Sequence, residues 1–515
     1  MVSLDAFAAA IGATVAEPAI VPTTASANET AAAPASALAH ASQIVISAIT
    51  ASSNDVTEGA VFVAIPGLQV HGASYAGQAI ERGAVAIITD AEGAGLIAEV
   101  GVPVLVVDRV DARLGDIAAM FFDQPAHGLR SFGVTGTNGK TTTTYMLEQV
   151  LTAAGHLTAL IGGVELRVGG VHTPTSITTP LPIDIQRMLR AHVDAGGSDA
   201  VMEVTSHALM QHRTDPIRFA VAGFTQLSID HLDYHASIDE YFEAKAELFR
   251  PERCDAAVIV TDDEWGKKLY EIATGRMARV FALGVEDELP AGAAGWRVRE
   301  VAADGSFELQ STEGWAASFT CGLAGVYNIA NAALAITMAI TGGVELAAIP
   351  RSIHPEVPGR MQVISETEPR VIVDFAHNAD SLAKALIAVR PATKGRLIVV
   401  TGTAGDRDAT KRFAMGEACA VNADVVVITD DDPHTEDPQQ IRDALIAGTV
   451  GHDAEVIEIA DRSEAIYEAV RIANDTDTVV IAGRGHWTVQ FVGHDLVELD
   501  DREVAREALV ARSGQ

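Results

Sequence analysis

The chain has 515 residues, 48% hydrophobic and 20% charged, which is too long for one ordinary core and describes a well-buried globular protein of three or four units. Its 69 acidic against 36 basic residues give a formal net charge of -33, which argues against nucleic acid or an anionic membrane as the main partner. The three cysteines, Cys254, Cys321 and Cys419, lie far apart and suggest neither a disulfide framework nor a zinc site.

Near the N-terminus Asp5 stands without a basic segment, and no run is apolar enough over ~20 residues to span a bilayer, so a soluble cytoplasmic protein is expected. Residues 22–42 form an Ala/Ser/Thr/Pro-rich tract with little to bury, read as an insertion or flexible loop. Short apolar runs then predict buried strands at Val61–Ile65, Ala84–Ile88 and Val104–Val107, within a first unit assigned to residues 1–130.

A second unit, residues 131–356, opens with the apolar run Ser131–Val134, the turn Gly136-Thr137-Asn138-Gly139-Lys140-Thr141-Thr142, and Tyr145, Leu147, Val150, Leu151 and Ala154 at helical spacing. Strand, glycine turn and helix form a phosphate-binding layout. Backbone N–H groups and the helix N-terminus face the anion, Lys140 reaches the terminal phosphates, and Thr141 offers a hydroxyl to Mg²⁺. The strict GxxxxGK[ST] spacing is not met, because Val134 stands where the first glycine belongs. Further strands are predicted at Ala200–Val204, Phe219–Phe224 and Ala256–Val260, with a helix over Tyr327–Ile340.

The third unit, residues 357–515, repeats the pattern at Val371–Val373, Leu397–Val400, Val425–Ile428 and Val479–Ile481. Strands alternating with helices predict an α/β fold with parallel-rich sheets, the P-loop lying in the central unit. Ligands are then expected at the carboxyl ends of the strands. Glu203 lies at such an end, where an acid commonly holds the nucleotide's Mg²⁺. Downstream, the run from Thr225 to His235 packs Asp230, His231, Asp233 and His235 into six places, a composition suited to a metal or phosphate site and equally to a solvated loop.

Together GVTGTNGKTTT, MEVTSHALMQHR, SIDHLDYH, EYFEAK, GVYNIANA, PGRMQ and DFAHNAD resemble the Mur ligases of peptidoglycan synthesis, in order and across essentially the whole chain outside 22–42. The resemblance is to the branch that adds the third residue of the peptide, and it implies three domains, a central P-loop ATPase and a C-terminal Rossmann-like unit beside the first. It implies small-molecule substrates: ATP with Mg²⁺, UDP-N-acetylmuramoyl-L-alanyl-D-glutamate and an amino acid, joined through an acyl phosphate by a monomeric enzyme. By the same resemblance Thr141, Glu203, His231 and Lys245 hold the metals, and Lys245 is carbamylated by CO₂ into an anionic ligand. That chemistry needs a neutral amine.

The resemblance also places Ser53, Leu68, Gln69, Val70, Thr178, Thr179, Thr205, Gln211 and Arg213 on the sugar-peptide substrate. It places Asn328 and Asn331 at the adenine, and Arg360 and Asp374 near the phosphates and ribose. Two positions depart from the family pattern: Ser52-Ser53-Asn54 replaces Asp-Ser-Arg, and Thr205 replaces serine.

The incoming amine is assigned to the segments GDRDATKR, TDDDPHTEDP and AGRGHWTVQ. Relatives that add meso-diaminopimelate carry Asp-Asn-Pro-Arg, whose arginine grips the extra carboxylate; here the residues are Asp431-Asp432-Pro433-His434, and Trp487 replaces a later glutamate. The acidic pair suits a side-chain ammonium, with Arg412 on the α-carboxylate, so L-lysine is the expected substrate. L-ornithine and meso-diaminopimelate are the alternatives. A P-loop binding module without ligase activity is a further alternative, disfavoured by the intact Lys140, Glu203, His231 and Lys245.

Overall fold

A computed structural model describes residues 2–16, 44–67, 69–97, 100–175, 177–366 and 369–513; the tract at 22–42 and Leu68 lie outside them. Three sheets organise the chain. The first has five strands in the spatial order Thr14–Val15, Val104–Val106, Ala86–Thr89, Ala60–Val63, Ala48–Thr50, parallel except for the first pair. Its strands Ala60–Val63 and Ala86–Thr89 are buried throughout, as continuous apolar runs covered on both faces should be.

The central sheet has twelve strands. Its parallel heart runs Thr158–Ile161, Asp199–Glu203, Arg130–Thr135, Val221–Phe224, Ala257–Val260, Val280–Gly284. The expected strand start at Phe219 shifts to Val221, Phe219 forming a single bridge to Cys254. Antiparallel extensions at Glu165–Val168 with Val171–Pro174, and at Ser306–Ser311 with Ala316–Cys321, are additions to the expected elements. In Ser306–Ser311 the residues Phe307, Leu309 and Ser311 point inward and alternate with less buried ones. A strand with one wet face leaves no continuous apolar run in the sequence.

The third sheet has six strands in the order Gln362–Ser365, Arg370–Asp374, Thr478–Ala482, Leu397–Thr401, Val425–Ile428, Glu455–Glu458, again parallel apart from the first pair.

In the central sheet the chain leaves Arg130–Thr135 through the helix Lys140–Ala153, fills one side, returns to the adjacent Asp199–Glu203, then crosses to Val221–Phe224 on the other side. Arg130–Thr135 is therefore the switch point, and the loops after these three strands open into one crevice. The carboxyl ends of the third sheet meet that crevice. Asn378, after Arg370–Asp374, donates to Asn138 in the glycine turn at 3.3 Å, and His486, after Thr478–Ala482, lies 3.0 Å from the Gly163 carbonyl. Among the described residues no helix is long and apolar enough to cross a membrane.

Candidate active site

The glycine turn is built by contacts that exclude side chains at two places. Gly136 has φ +145° and Gly139 φ +91°, and a Cβ on Gly136 would overlap the Thr225 hydroxyl. That hydroxyl donates to Asn138 O at 2.6 Å, and Thr137 N donates to Gln226 O at 2.8 Å, so the loop after Val221–Phe224 holds the turn in shape. Val134 is fully buried in the strand, which explains the missing first glycine: Gly136 makes the bend instead.

Lys140 Nζ folds back onto its own loop, donating to Gly136 O at 3.0 Å and Thr137 O at 2.8 Å. Burial lowers its pKa, opposed by the carboxylates of Glu203 and Asp230. Thr141 Oγ1 donates to Glu203 Oε2 at 2.9 Å, and Glu203 Oε1 accepts from Gly163 N at 2.8 Å. A buried hydroxyl–carboxylate pair beside the phosphate lysine is a hard-oxygen donor set that suits Mg²⁺.

Lys245, on the helix Ile238–Ala246, is 1% exposed, and its Nζ donates to the same Gly136 O at 2.7 Å over the face of the Tyr241 ring. Burial, then the nearby Lys140, holds its pKa well below the ordinary lysine value. A neutral amine here is the form that reacts with CO₂, so the residue fits the carbamate expected of it. His231 sits at φ +56°, a left-handed conformation uncommon outside glycine, and burial lowers its imidazole to about 4, keeping a neutral ring beside the turn.

Glu203 also anchors residues expected on the sugar-peptide substrate. Thr179 Oγ1 donates to Glu203 O at 2.8 Å and lies 3.2 Å from Thr205 Oγ1, while Arg213 donates to Thr179 O at 2.6 Å and to Gln211 Oε1. Thr178 faces Gly163, which also abuts Glu203. Ser53 belongs to the first unit, where it donates to Gln78 at 2.9 Å; Gln69 and Val70 are exposed.

On the helix Val326–Thr341 the buried Asn331 takes a hydrogen bond from Thr143 at 3.2 Å and donates to Asn328 at 3.2 Å, which sets both amides behind the nucleotide turn. Arg360 stacks 4.0 Å from the Phe375 ring, and Asp374 accepts from Met361 N and Ala376 N, tying the entry of the third unit to its first parallel strand.

The amine segments differ from expectation. Arg484, 2% exposed, donates to Asp431 at 2.8 Å and Asp432 at 2.5 Å and to the Val489 carbonyl, so the acidic pair read as a receptor for a side-chain ammonium is already engaged from within and keeps one net negative charge of its two. Arg412, expected on an α-carboxylate, is 4% exposed and engaged by Glu436 through two hydrogen bonds of 2.6 and 2.7 Å. His434 lies at φ +50° with its amide on Phe491 O at 3.2 Å. Sequence reasoning missed Arg484 and Glu436 as partners. Arg484 stands in the motif AGRGH, one residue past the glycine at a strand end, where it was open to notice.

Three family models match: Mur ligase catalytic domain over 45–122, Mur ligase middle domain over 134–339 and Mur ligase glutamate ligase domain over 359–485. The UDP-N-acetylmuramoyl-L-alanyl-D-glutamate--2,6-diaminopimelate ligase of Streptomyces coelicolor is 39% identical over 479 residues, 91% of this chain and 93% of the relative. The same-named protein of Corynebacterium glutamicum is 40% identical over 90% of this chain and 91% of its own. A solved structure of a ligase of that name superposes with TM-score 0.62 at 30% identity, covering 92% of this chain and 96% of that one. With the P-loop, Glu203 and Lys245 gathered at the switch point, and with 90% or more of both this chain and each of the two relatives aligned, the chain belongs to the Mur ligase family and is an ATP- and Mg²⁺-dependent amide ligase.

Proposed function

We propose that this ligase acts in the cytoplasm as a UDP-N-acetylmuramoyl-tripeptide synthetase, joining 2,6-diaminopimelate to the D-glutamate of UDP-N-acetylmuramoyl-L-alanyl-D-glutamate. This replaces the expectation of L-lysine. The carrying observation is Arg484 on Asp431 and Asp432: one buried guanidinium engages both carboxylates and halves the pair's charge from two to one, which weakens it as a receptor built for a lysine ammonium. The names of the relatives in Streptomyces and Corynebacterium support the same substrate.

In this reading residues 1–130 take the UDP end, 131–356 the ATP and 357–515 the amine. Gln211, Arg213, Thr178, Thr179 and Thr205 orient the muramoyl dipeptide with its γ-carboxylate toward the turn. The carboxylate oxygen attacks the γ-phosphorus of ATP, the bond to the bridging oxygen breaks, and ADP leaves. Lys140 and the turn's N–H groups offset the charge of the phosphoryl group in flight. Thr141, Glu203, His231 and a carbamate on Lys245 would hold Mg²⁺, which supplies further charge neutralisation when bound. The free amine then attacks the acyl phosphate carbonyl, phosphate departs, and the nitrogen gives up its proton to solvent. Positioning does most of the work.

The test is ADP release with meso-diaminopimelate, L-lysine and L-ornithine as separate amines. Turnover with diaminopimelate at least tenfold above the others is expected; turnover confined to lysine or ornithine would overturn the assignment, and no amine-dependent turnover would favour a binding module.

A further inference from the structure

Asp230 lies in the loop after Val221–Phe224, yet only 4% of it is exposed. Apart from the amide of its neighbour His231 at 3.0 Å, the hydrogen-bond and ion-pair partners of its carboxylate among the described residues come from the third unit, while Lys140 and Lys245 of the central unit act on it only through charge. Asn378 Nδ2 lies 3.3 Å from Oδ2, His377 Nε2 3.5 Å from Oδ2, and Lys411 Nζ 3.8 Å from Oδ1. His377 and Asn378 follow the strand Arg370–Asp374, whereas Lys411 follows Leu397–Thr401, so two separate loops of that unit converge on one carboxylate of the other.

Asn378 makes the convergence rigid. Its Oδ1 accepts from Ser381 N at 2.9 Å as the N-cap of the helix Ala379–Val389, which fixes the amide plane. Its Nδ2 then reaches both Asp230 and, at 3.3 Å, Asn138 Oδ1 of the nucleotide turn. Asn138 in turn donates to Asp380 Oδ2 at 3.2 Å. A buried carboxylate that loses such donors is costly, and only the His231 amide remains if the third unit swings away.

We propose that Asp230 is a positioning residue, a latch that holds the amine-binding unit closed over the nucleotide turn. It acts through His377, Asn378 and Lys411 and touches neither ATP nor the reacting carbonyl. The latch fixes the distance between the acyl phosphate and the amine, so its loss is felt in turnover and in the amine's KM, and ATP binding to the central unit is spared. It is independent of which amine is joined.

The test uses the full-length enzyme with a fluorophore pair on the central and third units, read with a non-hydrolysable ATP analogue and Mg²⁺. Asp230→Asn is expected to lower the closed fraction, cut kcat/KM for the amine by about 100-fold, and leave ATP affinity within about threefold. Lys411→Met, on the opposite unit, should lower the closed fraction in the same direction, and the double variant should be no worse than the poorer single one. Should Asp230→Asn fail to fold, Lys411→Met carries the same reading. Closure and turnover like the parent's in a folded variant, ATP affinity falling in step with turnover, or simple additivity of the two substitutions would each overturn the latch.

Discussion

Replacing Lys245 with methionine separates what the lysine does for the reaction from what it costs the fold. Its Nζ is 2.7 Å from Gly136 O and Lys140 Nζ is 3.0 Å from the same oxygen, so the two nitrogens are at most 5.7 Å apart. Were both protonated they would repel by about 3 kcal/mol at an effective dielectric constant of ~20, which with burial favours the neutral amine at Lys245, and a single carbonyl serves both. Methionine keeps the length of the stem and its packing on Tyr241 while removing the amine. The folded state is therefore expected to be as stable as the parent's within about 1 kcal/mol, or more stable. Turnover should nonetheless fall about 10²- to 10³-fold, because the side chain no longer becomes an anionic ligand. Urea unfolding reads the first quantity and ADP release the second. Lys245→Ala, which leaves room, should regain part of its turnover with added formate or acetate, and Lys245→Met should not. Parent-like turnover per folded molecule together with a sharply lowered urea midpoint would make the lysine a structural residue and refute the reasoning.

Three further outcomes are expected. Arg462 and Asp501 are both fully buried and joined by hydrogen bonds of 2.8 and 2.7 Å, so Asp501→Ala strands a guanidinium and should cost about 3–5 kcal/mol in urea unfolding. Gly136→Ala places a methyl against the Thr225 hydroxyl at a positive φ, so fluorescent-ADP binding should be lost while the far-ultraviolet dichroism spectrum is kept. Burial, then Arg360, depresses the His486 imidazole to about 3, with the Gly163 carbonyl, Arg502 and Asp500 also facing it. An unfolded histidine titrates near 6.5, so the unfolded chain binds the extra proton between those values. Stability is thus full above about pH 6.5 and declines as pH falls toward 3; His486→Gln should flatten the fall of the urea midpoint between pH 7 and 5.

Local pattern carried most of the fold. The strand Val425–Ile428 and the run Leu397–Val400 are apolar throughout, and the turn from Gly136 to Lys140 is specified by its own glycines and the helix after it, so each was legible without its neighbours. The set Glu203, Thr179, Thr205 and Arg213 was legible as motifs, although the hydrogen bonds that tie it together join two separate stretches of chain. What stayed hidden were pairings. Asp431 and Asp432 read as free charge because composition names acids without naming which group engages them, and Arg484 lies over fifty residues on. The contacts of Asp230 with His377 and Lys411 depend on how two separately folded units dock, which no periodicity encodes.

The phosphate slot of Lys140 and the turn's N–H groups is recessed in a protein whose formal charge is -33. Its polyphosphate substrates meet a repulsive far field before they feel the attractive slot. Salt at 0.15 M shortens that field to about 8 Å and leaves a buried charge far less screened. Nucleotide association should therefore accelerate as ionic strength rises from low values, the reverse of an electrostatically steered encounter. Dissociation, governed by the slot itself, should change much less.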